Sequence, residues 1–269
     1  MRIRVVDAFT DRPFAGNPAA VCVLPAGPWP DEGWMRAVAA EMNLSETAFT
    51  RPSDDPDADW DLRWFTPKVE SRMCGHATLA TTHAMAADGL LSGKVRFTSL
   101  SGILVAEVRE DQAITLDFPV SEPVRIEAPE GLVAALGTEP VAVHRTHPLG
   151  DLLVELADEA TVRAAVPDLG MLAEITERDG FRGTIITAAA ADHDFVSRFF
   201  APAHGIPEDP VTGSAHTGLA PYWAERLGRD ELVGYQASAR GGVVRVVSAG
   251  DRVYLTGQAV TVLDGQLLL

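Results

Sequence analysis

The sequence predicts an α+β fold made of two duplicated halves, each a set of strands wrapped around one buried helix. Three observations predict it. A short motif recurs 135 residues on, as Arg63-Trp64-Phe65-Thr66-Pro67 and Arg198-Phe199-Phe200-Ala201-Pro202. A helical stretch of small and apolar residues follows both copies. Alternating apolar strands flank both stretches in the same order.

Taken in order, the first half opens with a strand from Ile3 to Ala8, which the second half matches loosely with Val141 to Arg145. Ser45-Glu46-Thr47-Ala48-Phe49-Thr50 then matches Arg182-Gly183-Thr184-Ile185-Ile186-Thr187. Seven residues beyond the proline of each motif stand Cys74 in one copy and Asp209 in the other. From there Gly75 to Gly89 and Gly213 to Gly228 each read as a helix with a glycine stop. Leu79, Ala80, Ala84, Met85 and Ala86 make the first of these helices apolar nearly all round, so it is expected to be buried. Each copy closes with alternating strands: Leu104 to Val108 and Ala113 to Phe118, then Val243 to Val247 and Arg252 to Thr256. The polar, proline-bearing stretch Ser121 to Pro129 marks the junction. The expected domains are therefore 1–124 and 125–269, with the last strand free to pack on the first half.

Composition excludes several function classes. The chain has 269 residues, 46% of them hydrophobic, enough for two cores. Acids outnumber bases 38 to 22, for a net charge of -16, so nucleic acid and anionic membrane surfaces are poor partners. Two cysteines, Cys22 and Cys74, make no disulfide framework. No apolar run approaches the roughly 20 residues a membrane helix needs, and Met1 to Pro13 has no signal-peptide core, so a cytoplasmic protein is expected. The only lysines are Lys68 and Lys94, and Lys68 sits in a Thr-Pro turn beside Glu70, which argues against Schiff-base chemistry.

The chemistry is expected at the starts of the two buried helices. A helix N-terminus offers unpaired N–H groups and partial positive charge, and glycine lets a ligand approach the backbone. Gly75 on one side, and Gly213 with Ser214 on the other, would therefore hold a carboxylate if both starts faced a shared cleft. This is how a strongly acidic chain could bind a small anionic metabolite. His76 lies in the first turn of one helix, where the dipole disfavours its charged form, so a neutral imidazole is expected; the alternative is a satisfied core histidine. Asp209 precedes the other helix and reads equally as an N-cap. Glu46 matches Gly183 in the repeat, so the fold itself does not require a carboxylate there. It is either a catalytic group or a structural one that caps a helix or pairs with an arginine. Cys74 reads as a reactive thiol at a helix start or as a small core residue. Cys22, in an apolar strand, reads as core. The histidines form no shared metal-ligand pattern.

Taken together, Phe14-Ala15-Gly16-Asn17-Pro18-Ala19-Ala20-Val21, Ser45-Glu46-Thr47-Ala48-Phe49, Phe65-Thr66-Pro67 with Glu70, Cys74-Gly75-His76-Ala77-Thr78-Leu79, and Glu208-Asp209-Pro210-Val211-Thr212-Gly213-Ser214-Ala215 resemble the PhzF-like phenazine biosynthesis family. The resemblance spans most of the chain in the right order. It implies the diaminopimelate-epimerase-like fold: two pseudo-symmetric halves, each a barrel-like mixed β-sheet around a central α-helix, with the site between them. It implies a homodimer, no metal and no organic cofactor. It implies an isomerase that shifts a proton on a small, carboxylate-bearing, possibly cyclic substrate. Carried over by residue, Glu46 is the general acid and base, and His76 and Asp209 position the substrate and relay protons. Gly75, Gly213 and Ser214 supply anion-binding groups, Asn17 shapes the pocket, and Cys74 joins them in binding substrate. Related racemases of this fold use one cysteine from each half. Only Cys74 stands in such a place here, so a two-thiol mechanism is disfavoured. A cysteine-assisted racemase of an amino acid, and a non-catalytic carboxylate-binding protein, remain the alternatives.

Overall fold

The computed structural model describes residues 1–268. Its first elements are β1 (Arg2–Ala8), β2 (Asn17–Val23), α1 (Glu32–Met42), β3 (Glu46–Pro52), β4 (Trp60–Phe65) and β5 (Glu70–Ser71). Then come α2 (Gly75–Ala87), β6 (Lys94–Ser99), β7 (Gly102–Val108) and β8 (Ile114–Pro119). The chain continues with β9 (Glu122–Arg125), α3 (Leu132–Leu136), β10 (Ala142–His147), β11 (Leu152–Glu155), α4 (Glu159–Ala164) and α5 (Leu169–Asp179). It ends with β12 (Thr184–Ala189), β13 (Phe195–Ala201), β14 (Ile206–Asp209), α6 (Gly213–Leu227), β15 (Glu231–Gln236), β16 (Gly242–Ala249), β17 (Arg252–Gly257) and β18 (Ala259–Gln266). Two compact units divide it: Met1–Phe118 with the chain from Tyr254 onward, and Pro119–Val253.

The duplication read from the sequence is present strand by strand. In the first unit β1 pairs antiparallel with β2, β2 parallel with β3, and β3 antiparallel with β4. One edge of β4 is then shared by antiparallel β5 and parallel β6, and β6 pairs antiparallel with β7. In the second unit β10, β11, β12, β13, β14, β15 and β16 repeat each of these pairings with the same sense. The outer neighbour of the leading strand is antiparallel in both units, β18 on β1 and β9 on β10.

Inside each unit the strands enclose the apolar helix. Helix α2 packs on β1, β2, β3, β7 and β18, so nearly every side of it meets a strand. That accounts for its being apolar nearly all round. Its buried hydroxyls are satisfied locally: Thr78, Thr81 and Thr82 donate to the carbonyls of Cys74, Ala77 and Thr78 at 2.6, 2.7 and 2.8 Å. In the second unit α6 packs on β9, β15 and β16. Its last turn stops at Gly228, in the left-handed conformation.

The outer faces carry helices absent from the motif matching. Helices α1 and α5 are both eleven residues long, and their N-cap aspartates, Asp31 and Asp168, each accept from the amide three residues on. Met35, Val38 and Ala39 of α1 pack with Cys22, Phe49 and Phe65. Helices α3, α4 and α5 cover Val154, Ile186, Val196 and Phe200. Among the described residues no helix is long and apolar enough to cross a membrane.

The arginine of each recurrent motif explains why it recurs. Arg63 holds Glu70 through two bonds of 2.7 Å, and Arg198 holds Glu208 through bonds of 2.7 and 3.0 Å. These bidentate pairs pin the short strand that leads into each buried helix.

Candidate active site

In the first unit the chain leaving β1 must turn back tightly enough for β2 to pair with it. Gly16 makes this possible: its φ is +64°, and a Cβ there would lie 2.1 Å from the carbonyl oxygen of Ala8. No other residue fits. The turn sets Asn17 opposite Ala8 at the head of β2, fully buried. Glu46 heads the neighbouring strand β3, in register with Ala19. Cys74 is the N-cap residue of α2, and His76 lies in the helix's first turn.

These strand heads and the helix start bring four predicted residues together. His76 Nε2 lies 3.4 Å from Glu46 Oε2, and its Nδ1 lies 3.3 Å from the amide nitrogen of Asn17. Cys74 Sγ is 3.5 Å from the same Nδ1 and 3.9 Å from Nε2. The Glu46 side chain keeps 12% of its surface exposed, and that of His76 keeps 6%.

Electrostatics then assign the proton. Burial pushes the His76 pKa down to about 3, so the imidazole is neutral at physiological pH despite the adjacent carboxylate. With the ring neutral, the 3.4 Å contact to Glu46 is not an ion pair. With the Asn17 amide nitrogen as donor, Nδ1 accepts, and the single ring proton sits on Nε2, directed at Glu46. The sequence reading rested its neutral histidine on the helix dipole; in the structure burial is the cause. Burial also pushes the Cys22 thiol up to about 12, which makes it an inert core residue.

Gly75 is the first residue of α2 in the same unit, and the second unit holds the other three predicted residues, Asp209, Gly213 and Ser214. Thr212, not Asp209, is the N-cap residue of α6, and Asp209 is the last residue of β14. The strand register also revises the repeat: Asp209 pairs with Phe199 as Ser71 pairs with Trp64, so its counterpart is Ser71, while Cys74 corresponds to Thr212. Counting from the proline misplaces both, because the β13–β14 connection carries extra residues. Asp209, mostly buried, accepts from the Thr212 hydroxyl at 2.5 Å. Ser214 Oγ accepts from Arg182 Nη1 at 2.9 Å, and Arg182 grips the buried Asp151 at 2.8 and 2.6 Å. Gly213 opens the helix.

Three supporting residues carried no sequence signal strong enough to find them. Gln236, fully buried, accepts from Thr212 N at 2.8 Å and donates to the Asp209 carbonyl at 2.7 Å. A single glutamine at a strand end is anonymous in the sequence. Asp151 and Arg182 stand far apart along the chain. Only Arg182, next to Gly183, lay inside a matched segment.

The sequence profile described as phenazine biosynthesis-like protein matches residues 6–265. The chain belongs to the phenazine biosynthesis-like family. Among its relatives is an uncharacterized isomerase of Halalkalibacterium halodurans, 46% identical over 99% of this chain and 98% of that protein. The crystal structure of a PhzF-family phenazine biosynthesis protein from Enterococcus faecalis covers 100% of this chain and 99% of that one, with a TM-score of 0.92 and 41% identity. A hydroxyproline epimerase from Agrobacterium vitis shares the fold at 14% identity, with a TM-score of 0.66 over 98% of this chain and 91% of that one. The phenazine biosynthesis-like chain thus has the diaminopimelate-epimerase-like fold that its motifs implied.

Proposed function

We propose that this chain is a cofactor-independent isomerase that moves a proton on a small carboxylate-bearing substrate, with Glu46 as acid and base. The observation that carries the proposal is the setting of Glu46. The carboxylate is largely withdrawn from water, faces the neutral His76, and occupies a register position that the twin half fills with Gly183. In that twin a Cβ on Gly183 would come within 2.4 Å of the Phe199 ring, so any side chain there would displace that ring. A carboxylate kept by one half alone is not a requirement of the architecture.

The proton balance is simple. Glu46 removes a proton from a substrate carbon adjacent to an electron-withdrawing group and becomes a neutral acid. The electron pair passes into the substrate π-system. Glu46 then returns the proton to a different carbon. Each transfer switches Glu46 between a charged and a neutral form beside His76, whose Nε2–H stabilises the carboxylate form and holds it in place. A neutral donor suits both charge states of Glu46, whereas an imidazolium would trap the carboxylate ionised. From the second unit, the family resemblance assigns Asp209, Gly213 and Ser214 to substrate positioning, with the Asp151–Arg182 pair fixing the Ser214 hydroxyl. The isomerase name borne by the Halalkalibacterium halodurans relative supports the reaction class.

A second reading, a cysteine-assisted racemase, draws on the Cys74 thiol lying 3.5 Å from the His76 ring. Incubation in D2O with a panel of cyclic and amino-acid carboxylates tests both readings. Deuterium entering with migration of a double bond supports the isomerase. Deuterium entering with inversion at one carbon, abolished by alkylation of Cys74, supports the racemase. Tight binding with no exchange overturns both in favour of a binding protein.

A further inference from the structure

We propose that Glu46, Cys74 and His76 form a soft divalent-metal site that takes up Zn²⁺ and thereby shuts the active site. Their donor atoms, a carboxylate oxygen, a thiol sulfur and an imidazole nitrogen, all lie within 4.8 Å of one another. A tetrahedral zinc with bonds of ~2.0–2.3 Å holds its donors about 3.3–3.6 Å apart. The oxygen–nitrogen separation here is 3.4 Å, already at that spacing, and sulfur to Nε2 is 3.9 Å, a few tenths of an ångström wide. Three protein donors leave the fourth position open. A mixed sulfur, nitrogen and oxygen set favours zinc over magnesium or calcium, which select oxygen alone.

Asn17 lets one imidazole serve both states. In the structure its amide nitrogen faces Nδ1 at 3.3 Å, and as a donor it makes Nδ1 the acceptor and leaves the ring proton to Nε2. To bind metal, Nε2 must offer its lone pair, so the proton moves to Nδ1. A half-turn of the Asn17 amide then presents the oxygen as its acceptor, the outer-shell support that metal-bound histidines require. Binding exchanges the thiol proton for metal, that proton leaving to solvent, and no oxidant or reductant is involved. The uptake of metal stands on this geometry alone. The shutdown rests on the proton-transfer reading, because a zinc-held Glu46 carboxylate cannot accept a substrate proton.

The test uses Co²⁺ as a spectroscopic probe on the whole, chelator-treated protein, with Zn²⁺ as competitor. We expect one Co²⁺ per chain, a near-ultraviolet thiolate-to-cobalt charge-transfer band, and its loss on adding an equivalent of Zn²⁺. Cys74→Ser should abolish the band while Cys22 remains. Asn17→Ala should weaken binding by about 10- to 100-fold. Circular dichroism checks whether both variants are folded. No band in the unmodified protein, or an undiminished band in Cys74→Ser, overturns the site. If Cys74→Ser fails to fold, alkylation of Cys74 in the native protein replaces it with the same two outcomes. The cobalt spectrum reads binding without turnover, so a failed isomerase reading leaves this result standing, and the reverse holds too.

Discussion

Replacing Gly16 with alanine should cost the first unit several kcal/mol and disturb His76 through Asn17. Two terms contribute. A non-glycine residue at φ +64° costs about 1–2 kcal/mol. The added Cβ would sit 2.1 Å from the Ala8 carbonyl oxygen and 2.9 Å from a Thr10 methyl, so the backbone must move. Such overpacking typically costs about 1–3 kcal/mol. The sum, about 2–5 kcal/mol, is a large share of the about 5–15 kcal/mol that holds a domain folded. Gly89→Ala separates the terms: it has φ +69° with nothing within 4 Å of the new Cβ, so it bears the conformational cost alone. Thermal unfolding of the two variants beside the parent gives the comparison. At about 2 °C per kcal/mol for a chain of this size, Gly16→Ala should lower Tm by about 4–10 °C and Gly89→Ala by about 2–4 °C. Equal Tm values for the two variants would show that the close approach of Gly16 to Ala8 plays no part in the stability.

Two further predictions concern buried charge. Arg182→Leu leaves the Asp151 carboxylate, whose side chain is 1% exposed, without its partner, and should destabilise the second unit by about 3–5 kcal/mol in urea unfolding. Arg182→Leu with Asp151→Asn should recover much of that loss, and failure to recover would show that the pair is not what matters. The fold should also weaken in mild acid. Burial holds the His76 pKa near 3 and the His216 pKa near 4 against an ordinary 6.5. Between those values the unfolded chain binds more protons than the folded one, so stability falls as pH drops below 6.5, by about 1.4 kcal/mol per pH unit for each histidine. A Tm that stays level from pH 7 to pH 5 would contradict the buried neutral imidazoles.

The fold was legible because duplication writes itself twice. The Arg63 and Arg198 motifs, the two apolar helices and their glycine stops all left marks that an identical architecture must repeat. The outer helices α1 and α5 repeat as well, down to the capping aspartates Asp31 and Asp168. Their amphipathic faces, however, share no motif, because any apolar residue of fitting size satisfies that packing. In the site, Glu46 and His76 stood out because each broke the symmetry or sat in an unfavourable place. Their distance could not be read, since it depends on Gly16 turning the chain so that Asn17, Glu46 and the α2 start converge. Asp209 was found as a residue but misplaced as a repeat partner of Cys74, because residues added ahead of α6 shift the count while the strand register holds. Gln236 and Asp151 act only through what they touch, and a linear sequence does not display touching.

The claim that Glu46 carries the proton is tested most directly by Glu46→Gln, which keeps the shape and removes the basic oxygen. On a substrate shown to exchange with D2O, the exchange rate and the binding constant are measured together for parent and variant. The account predicts exchange at least about 100-fold slower, with binding and Tm close to the parent. Exchange at the parental rate would contradict it.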